Sequence, residues 1–72
     1  MNWTAESLRQ QLPTIKVKML VTGEVLDGRI AGRQNEFATV TIWLPHYQLW
    51  HSEEYPWQTL ANVLNDYGTL IW

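Results

Sequence analysis

The stretch Ile15-Lys16-Val17-Lys18-Met19-Leu20-Val21-Thr22-Gly23-Glu24-Val25-Leu26-Asp27-Gly28-Arg29-Ile30 decides how the whole chain is read. Ile15, Val17, Met19 and Val21 share one phase, while Lys16, Lys18, Leu20 and Thr22 share the other. Successive side chains of a strand point to opposite faces, so this alternation predicts a half-buried strand over residues 14–22. Thr22-Gly23-Glu24 predicts a turn, and a second strand follows from about Val25 to Ala31 with Leu26, Gly28 and Ile30 in phase. Gly28 has no side chain to pack in mid-strand, which predicts a sharp bend or a close backbone approach.

Toward the N-terminus, residues 4–12 predict a short helix. Thr4 is placed to cap it, because its hydroxyl can accept from a free N–H of the first turn. Trp3 and Leu8 have the spacing of a hydrophobic staple. Leu8 and Leu12 share a face, and Pro13 stops the helix. So short a helix is unstable alone and must dock, through Trp3, Leu8 and Leu12.

Toward the C-terminus, a polar turn over 32–36 precedes the clearest strand, Phe37 to Leu44, rich in β-branched and aromatic residues. Val40, Ile42 and Leu44 form one face; Thr39, Thr41 and Trp43 form the other. Pro45-His46 ends it, and Tyr47 to Tyr55 has the composition of a strand returning beside it. From Pro56 to Asn65 the spacing of Trp57, Leu60, Ala61 and Leu64 is helical, with a strand plus a 3₁₀ turn as the alternative. Gly68 suits a left-handed helix stop, and Thr69 to Trp72 suits a short last strand. The expected fold is therefore one domain over 1–72: mainly β, with an N-terminal helix over 4–12 and a small five-stranded SH3-like barrel over 14–72 that has a short helix before its last strand. Closing the sheet removes its exposed edges.

Within residues 15–30, Gly23, Leu26, Gly28 and Ile30 follow alternating apolar residues at the spacing of a turn glycine, an apolar residue, a second glycine and a second apolar residue. In this the segment resembles the first motif of the Sm/Hfq family, and the helix before the first strand is also similar. The resemblance covers about residues 4–42 and implies a bent five-stranded barrel, ring assembly and RNA binding. The family's Asp, four residues after the position of Ile30, is Gln34 in this chain, and Trp57-Gln58-Thr59-Leu60 lacks the basic and His residues of the second motif.

Composition narrows the function. A chain of 72 residues buries only about 60% of the surface its unfolded form exposes, so the core is thin. With no cysteine, disulfides and Cys-based zinc sites are excluded. Five Lys and Arg against seven Asp and Glu, net charge −2, exclude a classically basic nucleic-acid module and a charge-rich disordered tail. Met1-Asn2-Trp3-Thr4-Ala5-Glu6 lacks the basic start and apolar run of a signal peptide, and Phe37 to Trp50 is too short and polar to span a bilayer. The expected setting is cytoplasmic, without membrane contact.

Three constellations bear on function. Trp43, His46, Tyr47, Trp50, His51, Tyr55 and Trp57 crowd one segment. Trp and Tyr dominate contact hot spots and stack on bases, so Trp43, Tyr47, Trp50 and Trp57 are the expected partner-binding residues, set against the reading in which each merely packs the barrel. Lys16, Lys18, Arg29 and Arg33 would gather on one side of a meander and engage phosphate or an acidic partner. His46 and His51, with Glu53 and Glu54, are the only metal candidates, and their odd offset puts the two rings on opposite strand faces. No nucleophile elbow, phosphate loop or dinucleotide fingerprint is present. The leading expectation is a non-enzymatic protein-interaction module or small subunit, without cofactor, self-associating through an aromatic surface. The alternatives are an Sm-like RNA-binding oligomer and a small metal-binding protein.

Overall fold

The β-rich middle of the chain forms the strands that its alternation predicts. In the computed structural model, which describes residues 2–72, helix α1 (Ala5–Gln11) is followed by β1 (Thr14–Lys18), β2 (Val25–Ala31), β3 (Phe37–Leu44) and β4 (Leu49–Pro56). Helix α2 (Trp57–Tyr67) and the short β5 (Leu70–Ile71) complete it. β1 to β4 are an antiparallel meander, and β5 runs parallel to β1, giving the order β4-β3-β2-β1-β5. The result is mainly β: a five-stranded curled sheet with one helix before it and one before its last strand.

The inner face of the sheet carries Ile15, Val17, Ile30, Ala38, Val40 and Ile42, all buried. Against it pack Leu8 of α1, Trp57, Leu60, Ala61 and Leu64 of α2, and Leu70 of β5. Burial is the main force holding so small a core, worth roughly 1.5–3 kcal/mol for each large aliphatic side chain. At Gly28 the inner face has little room for a side chain. A Cβ there would lie 3.0 Å from Val17 Cγ2, 3.2 Å from Ile15 Cγ1 and 3.3 Å from Ile42 Cγ2. The expected close approach is thus an inner-face contact with three core side chains.

Both helices are set by local chemistry. The Thr4 hydroxyl accepts from Ser7 N, and the Ser7 hydroxyl accepts from Thr4 N, a reciprocal cap. Leu12 ends α1 in the left-handed region, just before Pro13. The segment after β4 is a true helix, α2, with Pro56 as its N-cap and Gly68 as its left-handed stop. Asn65 of α2 ties the N-terminus down: its Oδ1 accepts from Trp3 N at 2.6 Å and its Nδ2 donates to Trp3 O at 2.7 Å.

Two expectations are corrected. β1 ends at Lys18 rather than near residue 22, because Met19 N donates to Glu24 O and Gly23 N donates to Met19 O, which closes a hairpin loop at once. Val21, expected in the buried phase, is 96% exposed in that loop. The sheet also does not close by backbone pairing; it is a half-barrel whose edges are β4 and β5.

The seam between those edges is spanned by side chains. His51, Glu53 and Tyr55 lie opposite Ile42, Val40 and Ala38, so they share the inner face of β4. The Trp72 indole N–H donates to the Tyr55 hydroxyl, and that hydroxyl donates to Glu53 Oε2 at 2.6 Å. His51 Nε2 is 3.2 Å from Glu53 Oε1, and its ring meets the Trp72 ring edge-on at 5.3 Å.

Candidate functional site

The outer face of the sheet is built from the opposite phase of the same strands. β1 contributes Thr14, Lys16 and Lys18; β2 contributes Val25, Asp27 and Arg29; β3 contributes Thr39, Thr41 and Trp43; β4 contributes Trp50, Ser52 and Glu54. Trp43 and Trp50 are directly opposed, with ring centroids 5.2 Å apart and planes tilted by 59°. Such a pair is stabilising across two strands. Even so, Trp43 stays 39% exposed and Trp50 56% exposed. Beside them runs an open groove of about 720 Å³ lined by Val25, Asp27, Arg29, Trp43, Pro45 and Trp50. Val25, itself 58% exposed, extends the apolar area.

The charges on this face are few. Lys16 and Asp27, opposed in the β1–β2 register, form an ion pair. The Arg29 guanidinium lies 6.0 Å from the centre of the Trp50 ring. Among the described residues neither Arg29 nor Glu54 forms an ion pair, and both are exposed. Thr41 and Ser52, on the row between them, share a hydroxyl–hydroxyl hydrogen bond of 2.8 Å.

The expected site residues divide. Trp43 and Trp50 are together and exposed, and Tyr47 stands 74% exposed in the β3–β4 turn. Trp57 is a correction: it is 3% exposed at the start of α2, inside the core. Its indole N–H donates to Asn35 O at 3.1 Å, and Arg9 covers its ring at 5.3 Å. Lys16, Lys18 and Arg29 share the outer face, but Arg33 does not join them. Its Nε donates to Arg9 O at 3.1 Å and its Nη2 to Gln10 O at 2.9 Å, satisfying free carbonyls at the end of α1.

The two histidines also part company. His46 Nε2 is 2.7 Å from Glu24 Oε1, linking the β3–β4 turn to the β1–β2 loop, whereas His51 belongs to the seam with Glu53. Among the described residues no three His, Asp or Glu side chains are grouped as a metal site would need. Hydrogen bonds from Tyr55 and His51 hold the Glu53 carboxyl below its ordinary range. Burial and the hydrogen bond to Glu53 push the Tyr55 hydroxyl up. Sequence reasoning missed Glu53, Tyr55 and Trp72 as a group. The available signal was the β4 phase Leu49, His51, Glu53, Tyr55, which puts polar residues where a strand over a core should be apolar.

No helix is long and apolar enough to cross a membrane among the described residues. Comparison with protein-family models, curated proteins and solved structures finds no match to this chain.

Proposed function

We propose that this chain is a non-enzymatic, cytoplasmic protein-interaction module whose contact surface is the outer sheet face around Trp43 and Trp50. The observation that carries this reading is the exposed cross-strand Trp pair continuing into the groove with Val25 and Pro45. Singly exposed apolar residues are ordinary, but a joined apolar area rimmed by polar groups marks an interaction surface. Trp with a neighbouring Arg is the composition of a contact hot spot. Phosphate tracking, as an Sm-like RNA-binding ring would need, has less support. Arg33 is spent on α1 and Lys16 on Asp27, which leaves Lys18 and Arg29.

A photo-crosslinking residue at Ser52, one same-face step from Trp50 and exposed, tests this reading in cells. The expected result is a protein adduct that disappears in Trp43→Ser and Trp50→Ser variants whose melting temperatures are retained. Adducts to RNA alone, or none at all, would overturn it.

A further inference from the structure

Resting on that contact face, we propose that its occupant is an extended acidic segment of another protein, with two carboxylates four residues apart and an apolar residue midway between them. The charges around the Trp pair decide the sign. The anions nearest the groove are already held: Asp27 by Lys16, and Glu24 by His46 at 2.7 Å. Among the described residues Lys18 and Arg29 form no ion pair, and both are exposed. Glu54 forms none either, but it lies two same-face steps from Trp50 along β4 and does not line the groove. Apolar surface set between two free cations favours a partner that brings anions to both of them.

The register gives the spacing. Val25, Asp27 and Arg29 follow one another on the outer face of β2. Continuing the β2–β3 pairing one residue past Gly28 and Ile42 sets Asp27 opposite Trp43, which is opposite Trp50. The Trp pair therefore occupies the middle row. Arg29 stands one step to one side of that row, its guanidinium 6.0 Å from the centre of the Trp50 ring. Lys18 stands one step to the other side, opposite Val25. Same-face steps of about 6.7 Å and strands about 4.8 Å apart put Lys18 and Arg29 roughly 14 Å from each other at the backbone. An extended chain advances about 13 Å in four residues, and its first, third and fifth side chains point the same way. Acids at the first and fifth positions then meet the two cations. The third side chain falls on the groove floor between Trp43, Val25 and Pro45, where an apolar group is best buried.

The same spacing disfavours other occupants. Of the seven Asp and Glu in this chain no two are four residues apart, so no segment of a second copy supplies the pair. On a helix, residues four apart are separated by only about 6 Å, which does not span the two cations. A nucleic acid lays phosphates along the whole groove, Asp27 included, whereas two carboxylates at its ends leave Asp27 to Lys16.

Selection from a random displayed peptide library, followed by fluorescence anisotropy of the selected peptide, tests this. The expected enriched sequences carry two acids four apart around an apolar residue. Arg29→Glu should select a base in place of one acid, and Lys18→Glu in place of the other. Each variant should weaken the peptide selected on wild type at least ~10-fold, and the matching acid-to-Lys change in the peptide should recover it to within about threefold. Circular dichroism melts check folding, and Arg29→Gln and Lys18→Gln serve where a Glu variant is destabilised. Enriched peptides that need Trp43 and Trp50 but carry no paired acids overturn the acidic-segment inference and leave the contact face standing. Charge variants that bind as wild type does, or peptides that fail to recover on the matching change, overturn it too. If no peptide is enriched, or only oligouridine RNA binds through Lys18 and Arg29, the inference falls, and the crosslink from Ser52 decides the contact face by itself.

Discussion

At the residue scale, two kinds of residue separate core from surface in this chain, and they differ in how legible they are. Gly28 is legible: a glycine in the apolar phase of a strand announces that something comes too close for a side chain. Its inner-face neighbours lie 3.0–3.3 Å from the point a Cβ would occupy, so Gly28→Val must push Val17, Ile15 or Ile42 out of place. Overpacking of this kind should cost about 1–3 kcal/mol, with Gly28→Ala at the low end, read as a lowered urea midpoint at unchanged slope. The tryptophans are not legible one at a time. Trp43, Trp50 and Trp57 are spaced seven apart, yet Trp57 is core and the other two are surface. What distinguishes Trp57 is its place on an amphipathic helix that covers the sheet, whereas Trp43 sits in the phase opposite Val40, Ile42 and Leu44. Strand phase therefore predicts the exposure of Trp43, and aromatic clustering alone mistakes Trp57 for a contact residue.

At the element scale, β2 and β3 follow their periodicity to the residue, because each lies between two antiparallel neighbours of the meander, which pin its register, whereas β1 has one such neighbour and meets β5 only at Val17 and Lys18. β1 does not, since its C-terminal neighbour is decided by chain outside it: Trp72 N donates to Lys18 O, and Leu20 N donates to Trp72 O. No local pattern announces a partner about fifty residues away. Arg33 is the same lesson in side-chain form. Read along the chain it is one more cation beside Arg29; in the fold it holds the end of α1 against the β2–β3 turn. A cation on the terminal carbonyls of a helix is worth typically about 0.3–1 kcal/mol, so Arg33→Ala should destabilise by about 1 kcal/mol. The loss should be local first. Amide hydrogen exchange is expected to quicken about fivefold in α1 while the β2–β3 amides keep their protection, and equal acceleration throughout would deny Arg33 this role.

At the scale of the whole molecule, the question is what holds a half-barrel at its open side. The backbone leaves β4 and β5 as separate edges, and the chain spans the gap with Trp72, Tyr55, Glu53 and His51. Polar residues on the inner phase of β4 look like a defect in a sequence read strand by strand. They make sense as the polar lining of a seam, which sheet order alone reveals. The seam also gives the molecule two pH limits. Glu53 is held below its ordinary value of 4.5, chiefly by the Tyr55 hydrogen bond and then by His51, so the folded state favours its charged form. That stabilisation is present above the unfolded pKa and is lost as pH falls through the lower folded one. Tyr55 is raised above its ordinary value of 10.0, chiefly by burial and then by its bond to Glu53. Its contribution is present below the unfolded pKa and is lost as pH rises toward the folded one. Melting temperature against pH should therefore show a plateau that falls on the acid side below pH 4.5 and on the alkaline side above pH 10.0. Tyr55→Phe removes the seam's share of the alkaline limb, because its titrating group is gone. It also softens the acid limb, because Glu53 keeps only the weaker of its two hydrogen bonds. A Tyr55→Phe profile that parallels wild type at both ends would mean that the seam does not govern the molecule's response to pH.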